Sequence, residues 1–126
     1  MTNKQIHILV VDDELDMLWS LQKMLSYDNY TVTTALSARE ALQAVQHQAF
    51  ALAIIDAKLP DMDGLQVANQ LKRITPTIPI ILISGYYYGE DPEIEREVQQ
   101  KVAANFISKP FSLREIRSTI QEVLVS

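Results

Sequence analysis

Asp12 and Asp13, Asp56, Ser84 and Lys109 share one property: each follows directly on a short run that reads as a strand. The runs are Ile6–Val11, Ala51–Ile55, Pro79–Ile83 and Asn105–Ser108. As parallel strands they would bring three carboxylates, a hydroxyl and an ammonium together along the carboxyl edge of one sheet. Carboxylates gathered in one cleft repel and raise one another's pKa, an arrangement that asks for a divalent cation. The chain has no cysteine, and its histidines lie elsewhere, His7 inside the first run and His47 at the end of a helical stretch. An all-oxygen donor set favours Mg²⁺ or Mn²⁺ over Zn²⁺. A hard cation that keeps several waters suits phosphate chemistry, with a positioned carboxylate as nucleophile. The competing reading of the acids is structural, as helix caps and turn residues.

The elements that must position these residues can be read from the apolar spacing. Ile6–Val11, interrupted only by His7, is too short for a helix and rich in β-branched residues, so it reads as a buried strand. Leu15, Leu18, Leu21, Met24 and Leu25 recur at three- and four-residue spacings and predict a first helix with these residues on one face. Tyr30–Ala35 is a second strand, and Ser37-Ala-Arg-Glu40 has capping-box spacing before a second helix to about His47. A third strand, Ala51–Ile55, ends at Asp56, and a third helix carries Val67, Ala68 and Leu71 after Leu59-Pro60-Asp61-Met62-Asp63-Gly64. Pro79–Ile83 is a fourth strand, Asp91–Val102 a charged fourth helix, and Asn105–Ser108 a fifth strand; Ser112-Leu-Arg-Glu115 caps a fifth, final helix. Strands apolar on both faces that alternate with amphipathic helices predict an α/β fold, a single parallel sheet covered on both sides. In such sheets ligands bind at the carboxyl ends of the strands, so the residues there carry the functional information.

Composition narrows the classes further. A chain of 126 residues with 48% hydrophobic and 21% charged residues predicts one domain, 1–126, that folds in water, with no long apolar run for a membrane span. The absence of cysteine removes disulfides and thiol chemistry, and the amino terminus has no signal-peptide pattern, so a cytoplasmic location is expected. Sixteen acidic against eleven basic residues, without a basic run, argue against direct nucleic-acid binding.

With these residues in place, the sequence resembles the response-regulator receiver domains of two-component signalling, including the chemotaxis regulators. Val11-Asp12-Asp13-Glu14, Asp56 with Leu59-Pro60-Asp61-Met62-Asp63-Gly64, Ile83-Ser84-Gly85 and Ser108-Lys109-Pro110-Phe111 resemble family motifs in family order, from Ile6 to about Leu124. The resemblance implies a flavodoxin-like, three-layer (βα)5 sandwich with strand order 2-1-3-4-5. It implies Asp56 as phospho-acceptor, and Mg²⁺ held by Asp13, Asp56, the Lys58 main-chain carbonyl and, through water, Asp12. It also implies Ser84 and Lys109 as partners of the phosphoryl group, Phe106 as a switch aromatic and a cis Lys109-Pro110 peptide. The implied partners are a sensor histidine kinase or histidine phosphotransfer protein and a downstream effector protein. The implied output face is the fourth helix, fifth strand and fifth helix; a homodimer through the same face is compatible with the sequence, which is silent on it. The chain would catalyse only its own phosphoryl transfer and slow dephosphorylation.

Two departures from the family pattern stand out, and one aromatic run has two readings. The stretch from Ser84 to Lys109 is longer than expected and carries Gly89-Glu90-Asp91-Pro92; Val102-Ala103 replaces a Gly-Ala pair before the fifth strand; and Tyr86-Tyr87-Tyr88 is either a loop or an aromatic contact surface. Lys58 and Tyr86 flank the expected path of a hydrolytic water, which predicts slow loss of phosphate. Lys58 also occupies the place where an aspartate-nucleophile phosphohydrolase needs a general acid, and the acidic first loop would repel the phosphate of a flavin. A receiver that is never phosphorylated and serves as a docking module, or one excised from a transcription factor or hybrid histidine kinase, remains an alternative.

Overall fold

Alternating side chains along each strand divide the core into two halves. The computed structural model describes residues 6–85 and 105–125. Its strands are β1 (His7–Val11), β2 (Thr31–Ala35), β3 (Leu52–Asp56), β4 (Ile80–Ser84) and β5 (Asn105–Ser108), all parallel, in the order β2-β1-β3-β4-β5. Its helices are α1 (Leu15–Tyr27), α2 (Ala38–His47), α3 (Gly64–Ile74) and, at the carboxyl end, α4 (Leu113–Val125). Leu9, Val11, Ala53, Ile55, Ile80 and Leu82 face the layer of α2 and α3, where Ala41, Val45, Leu65 and Leu71 meet them. Their chain neighbours Ile8, Val10, Leu52, Ile54, Ile81 and Ile83 face Leu21 and Leu25 of α1 and Ile116 and Ile120 of α4. Burying each such side chain fully contributes about 1.5–3 kcal/mol, which is why the strands are apolar on both faces.

This is the α/β sandwich expected from the sequence, with the strand order that the family resemblance implies. The strands end nearly level: Val11 lies opposite Ala35 and Ile55, Asp56 opposite Ile83, and Ser84 opposite Ser108. Whatever follows β1, β3, β4 and β5 therefore falls on one edge. The expected helix over Asp91–Val102 lies outside the described residues, as do Tyr86-Tyr87-Tyr88 and Val102-Ala103. Among the described residues no helix is long and apolar enough to cross a membrane.

Two local expectations are corrected. Leu15 is spaced like a core residue but is 69% exposed at the first position of α1, whereas Leu18, Leu21, Met24 and Leu25 are buried. In the Ser37 box, Ser37 Oγ accepts from the Glu40 N–H at 3.2 Å, but Glu40 Oε1 accepts from the Leu36 N–H at 2.8 Å and not from that of Ser37. The Ser112 hydroxyl accepts from the Glu115 N–H at 3.0 Å, as the second box predicts.

Candidate functional site at the carboxyl edge of the sheet

Asp12 follows β1 and is buried. Its Oδ1 accepts a hydrogen bond from the Glu14 N–H at 2.9 Å, which turns the chain from strand into α1. Its Oδ2 is buried and has no hydrogen-bond partner among the described residues; the Lys109 ammonium, at 3.9 Å, is too far to donate. Burial pushes the Asp12 carboxyl up to about 6, the hydrogen bond from Glu14 pulls the other way, and the charge of Asp56 adds to the rise.

Asp56 ends β3 and is also buried, with Oδ1 accepting from the Lys58 N–H at 3.0 Å and Oδ2 from Lys109 Nζ at 3.0 Å. Asp13 is exposed, and one carboxylate oxygen from each of Asp12, Asp13 and Asp56 lies within 4.8 Å of the others. Lys109 is fixed by its main chain, whose N–H donates to the Ser84 carbonyl at 2.7 Å, and its peptide with Pro110 is cis. Burial works against the Lys109 charge, yet hydrogen bonds to Asp56 and Glu14 hold its pKa above the ordinary lysine value.

The loop after β3 shapes the rest. Lys58 and Asp63 form an antiparallel bridge, and the Gly64 N–H donates to the Ala57 carbonyl at 2.8 Å. A Cβ on Gly64 would overlap the Asp56 carbonyl oxygen and approach the Ala57 Cα to 2.7 Å, so this position has no room for a side chain. Asp63 caps α3, its Oδ1 accepting from the Leu65 N–H at 2.8 Å. The result is an open cleft of about 610 Å³ lined by Asp13, Glu14, Asp56, Lys58, Gly85 and Lys109.

The structure brings Asp12, Asp13, Asp56, Lys58 and Lys109 together, with Ser84 buried at the adjoining end of β4. Phe106 is half-buried in β5 and packs on the α2 and α3 side of the core. Trp19 is 62% exposed on α1, with Lys23 Nζ 4.9 Å from its ring centre. Two contacts escaped the sequence reading. Glu14 Oε1 accepts from Lys109 Nζ at 3.0 Å, a pairing 95 residues apart that no local pattern signals. Asp61 accepts from the main chain of α2, 23 residues away, a role that its place in the Leu59–Gly64 stretch does not signal.

A divalent cation fits this donor set. The buried, unpartnered Asp12 Oδ2 and the facing carboxylates are all hard oxygen donors, and they carry more negative charge than Lys109 offsets.

The sequence model of the response regulator receiver domain matches residues 8–121. The chain belongs to this family. Among solved structures, this receiver is similar to a CheY-like response regulator receiver domain protein from Methanospirillum hungatei, with a TM-score of 0.90 and 30% identity over 97% of this chain and 95% of that one. It is also similar to the response regulator TrrA from Thermotoga maritima, solved in complex with Mg²⁺-BeF, with a TM-score of 0.82 and 28% identity over 95% of this chain and all, 100%, of that one. Among curated relatives, the transcriptional regulatory protein ZraR of Escherichia coli is 32% identical over 124 residues, 98% of this receiver and 27% of the relative. The alkaline phosphatase synthesis transcriptional regulatory protein PhoP of Bacillus subtilis is 32% identical over 118 residues, 93% of this receiver and 48% of the relative. The chain thus spans between about a quarter and a half of the curated relatives it matches.

Proposed function

We propose that this receiver is a phospho-acceptor switch, phosphorylated on Asp56 with Mg²⁺ held by Asp13, Asp56, the Lys58 carbonyl and, through water, Asp12. Mn²⁺ would serve in its place. The observation that carries the reading is the 3.0 Å pairing of Lys109 Nζ with Asp56 Oδ2 beside a buried, unpartnered Asp12 oxygen. A bound divalent cation supplies charge that offsets the oxygens of a transferring phosphoryl group.

The chain's own residues do the remainder. An Asp56 carboxylate oxygen attacks phosphorus, the new O–P bond forming as the P–N bond to a donor imidazole breaks, and the imidazole leaves with that electron pair. Lys109, already paired with Asp56 Oδ2, is within reach of a phosphoryl oxygen on that carboxylate. Ser84 lies at the adjoining strand end, and its hydroxyl would donate to the same group. A phosphoryl group adds about −1.5 to −2 charges, so Ser84, Lys109 and, through β5, Phe106 are the groups that would shift on modification.

The donor would be a sensor histidine kinase or a histidine phosphotransfer protein in the cytoplasm, and the output a downstream effector. The likeness to ZraR and PhoP supports a receiver that feeds transcription, with the effector in the same chain or a separate one. The chain would act on no external substrate. Calorimetric titration with Mg²⁺ and then beryllofluoride tests this: both should bind saturably, the second lost in Asp56→Asn. Absence of both responses would make a phosphorylation-independent docking module the better account.

A further inference from the structure

The loop after β3 is tied to α2 by a contact that none of the proposed site residues makes. Asp61 Oδ1 accepts from the Ala38 N–H at 2.9 Å and Oδ2 from the Arg39 N–H at 3.1 Å. With Ser37 Oγ taking the Glu40 N–H, the first three N–H groups of α2 are satisfied by two different side chains. One belongs to α2's own cap. The other comes from the loop that carries Lys58.

We propose that Asp61 is a positioning residue for the metal site, holding the loop 57–63 against α2 so that the Lys58 main chain stays in place beside Asp56. The proposal rests on the phospho-acceptor reading above and deepens it. The loop also has a side-chain contact to α3, from Gln70 Nε2 to Met62 Sδ at 3.6 Å, but among the described residues Asp61 alone takes two N–H groups of α2. Lys58 meets Asp63 across its neck, and Leu59 and Met62 pack their side chains on the core shared by α2 and α3. Asp61 lies three residues from Lys58, whose N–H donates to Asp56 Oδ1 and whose carbonyl would face the cation. A carboxylate bridging two N–H groups at a helix amino end is strongly directional and favoured by the helix dipole. Consistent with that, the hydrogen bond from Ala38 holds the Asp61 carboxyl below the usual carboxylate range; desolvation opposes it and the hydrogen bond from Arg39 adds to it.

The competing explanation is that Asp61 does no more than cap α2. Ser37→Ala separates the two, because it removes a cap from the same helix end without touching the loop. Mg²⁺ affinity is measured by calorimetry on the full chain, with a thermal melt of each protein beside it. Asp61→Ala should weaken Mg²⁺ binding about tenfold, the scale of losing a residue that orients a ligand. The loss should persist at high salt, where the missing surface charge itself is screened. Ser37→Ala should lower the melting temperature yet leave Mg²⁺ affinity within about twofold.

Equal weakening in both variants, or Mg²⁺ binding by Asp61→Ala within about twofold of wild type, overturns the proposal. Should Asp61→Ala not fold, Asp61→Asn, which keeps one acceptor oxygen, decides it: about a threefold loss at high salt supports positioning, and an unchanged affinity overturns it. Failure of the unmodified chain to bind Mg²⁺ would instead remove the reading beneath it, and the proposal with it.

Discussion

Lys109 Nζ lies 3.0 Å from Asp56 Oδ2, with both side chains largely withdrawn from solvent, 23% and 8% exposed. The ammonium also reaches Glu14 Oε1 at 3.0 Å and stands 3.9 Å from Asp12 Oδ2, so one cation faces three acids from two strand ends. Charge balance at this edge therefore depends on Lys109.

Replacing that cation should cost stability without metal and gain affinity for it. Lys109→Gln is expected to destabilise the metal-free protein by about 2 kcal/mol near neutral pH, since it leaves Asp56 buried with less compensation. The same variant should bind Mg²⁺ more tightly than wild type, because a competing positive charge is gone. Chemical denaturation with and without Mg²⁺ measures both effects.

Asp12 gives the site a pH dependence whose sign is fixed. Its folded pKa, about 6, lies above the ordinary 3.8, so the metal-free folded chain holds this proton more tightly than the unfolded chain does. Asp12 therefore favours folding at low pH, and that contribution is lost as pH rises through the window from about 4 to about 6. Asp12→Asn should raise metal-free stability at pH 7.5 by on the order of 2–3 kcal/mol, the gain shrinking toward zero near pH 4. Mg²⁺ displaces the proton, so its stabilisation of the wild type should grow across the same window as pH rises. Urea titrations at several pH values, with Mg²⁺ or a chelator, check the slope.

Gly64 is set by a steric limit instead of a backbone angle. Gly64→Ala must push the loop away from the Asp56 carbonyl and Ala57, at a cost of about 2 kcal/mol. The displacement starts next to Asp56, so Mg²⁺ affinity should fall along with the denaturation midpoint.

Loss of phosphate from the modified protein should be slow, and Lys58 is one reason, since this residue lines the same cleft as Asp56. A Lys58→Ala, Tyr86→Ala double variant should lose phosphate severalfold faster in a timed intact-mass decay. Unchanged decay would remove side-chain shielding as the cause.

Much of this was legible in the sequence for identifiable physical reasons. Runs such as Ala51–Ile55 are apolar on both faces, so they announced a covered parallel sheet, and the residue after each run announced the edge. The helix starts at Ser37 and Ser112 were readable because a cap is a local event, made within three or four residues. Leu15 departs from the expectation because periodicity reports a face and not whether the first helical position is covered. The Glu14 to Lys109 pairing and the Asp61 clamp on α2 were missed because each joins elements that only the fold brings together. Nothing in the spacing of acids distinguishes an Asp that would face a cation, such as Asp13, from one that caps a neighbouring helix, such as Asp61.

The most direct test of the central claim is intact-mass analysis after incubation with acetyl phosphate, with Mg²⁺ or with chelator, for wild type and Asp56→Asn. The account predicts that wild type gains the mass of one phosphoryl group only with Mg²⁺ present, and that Asp56→Asn gains none. No gain in wild type, or an equal gain in Asp56→Asn, would contradict it.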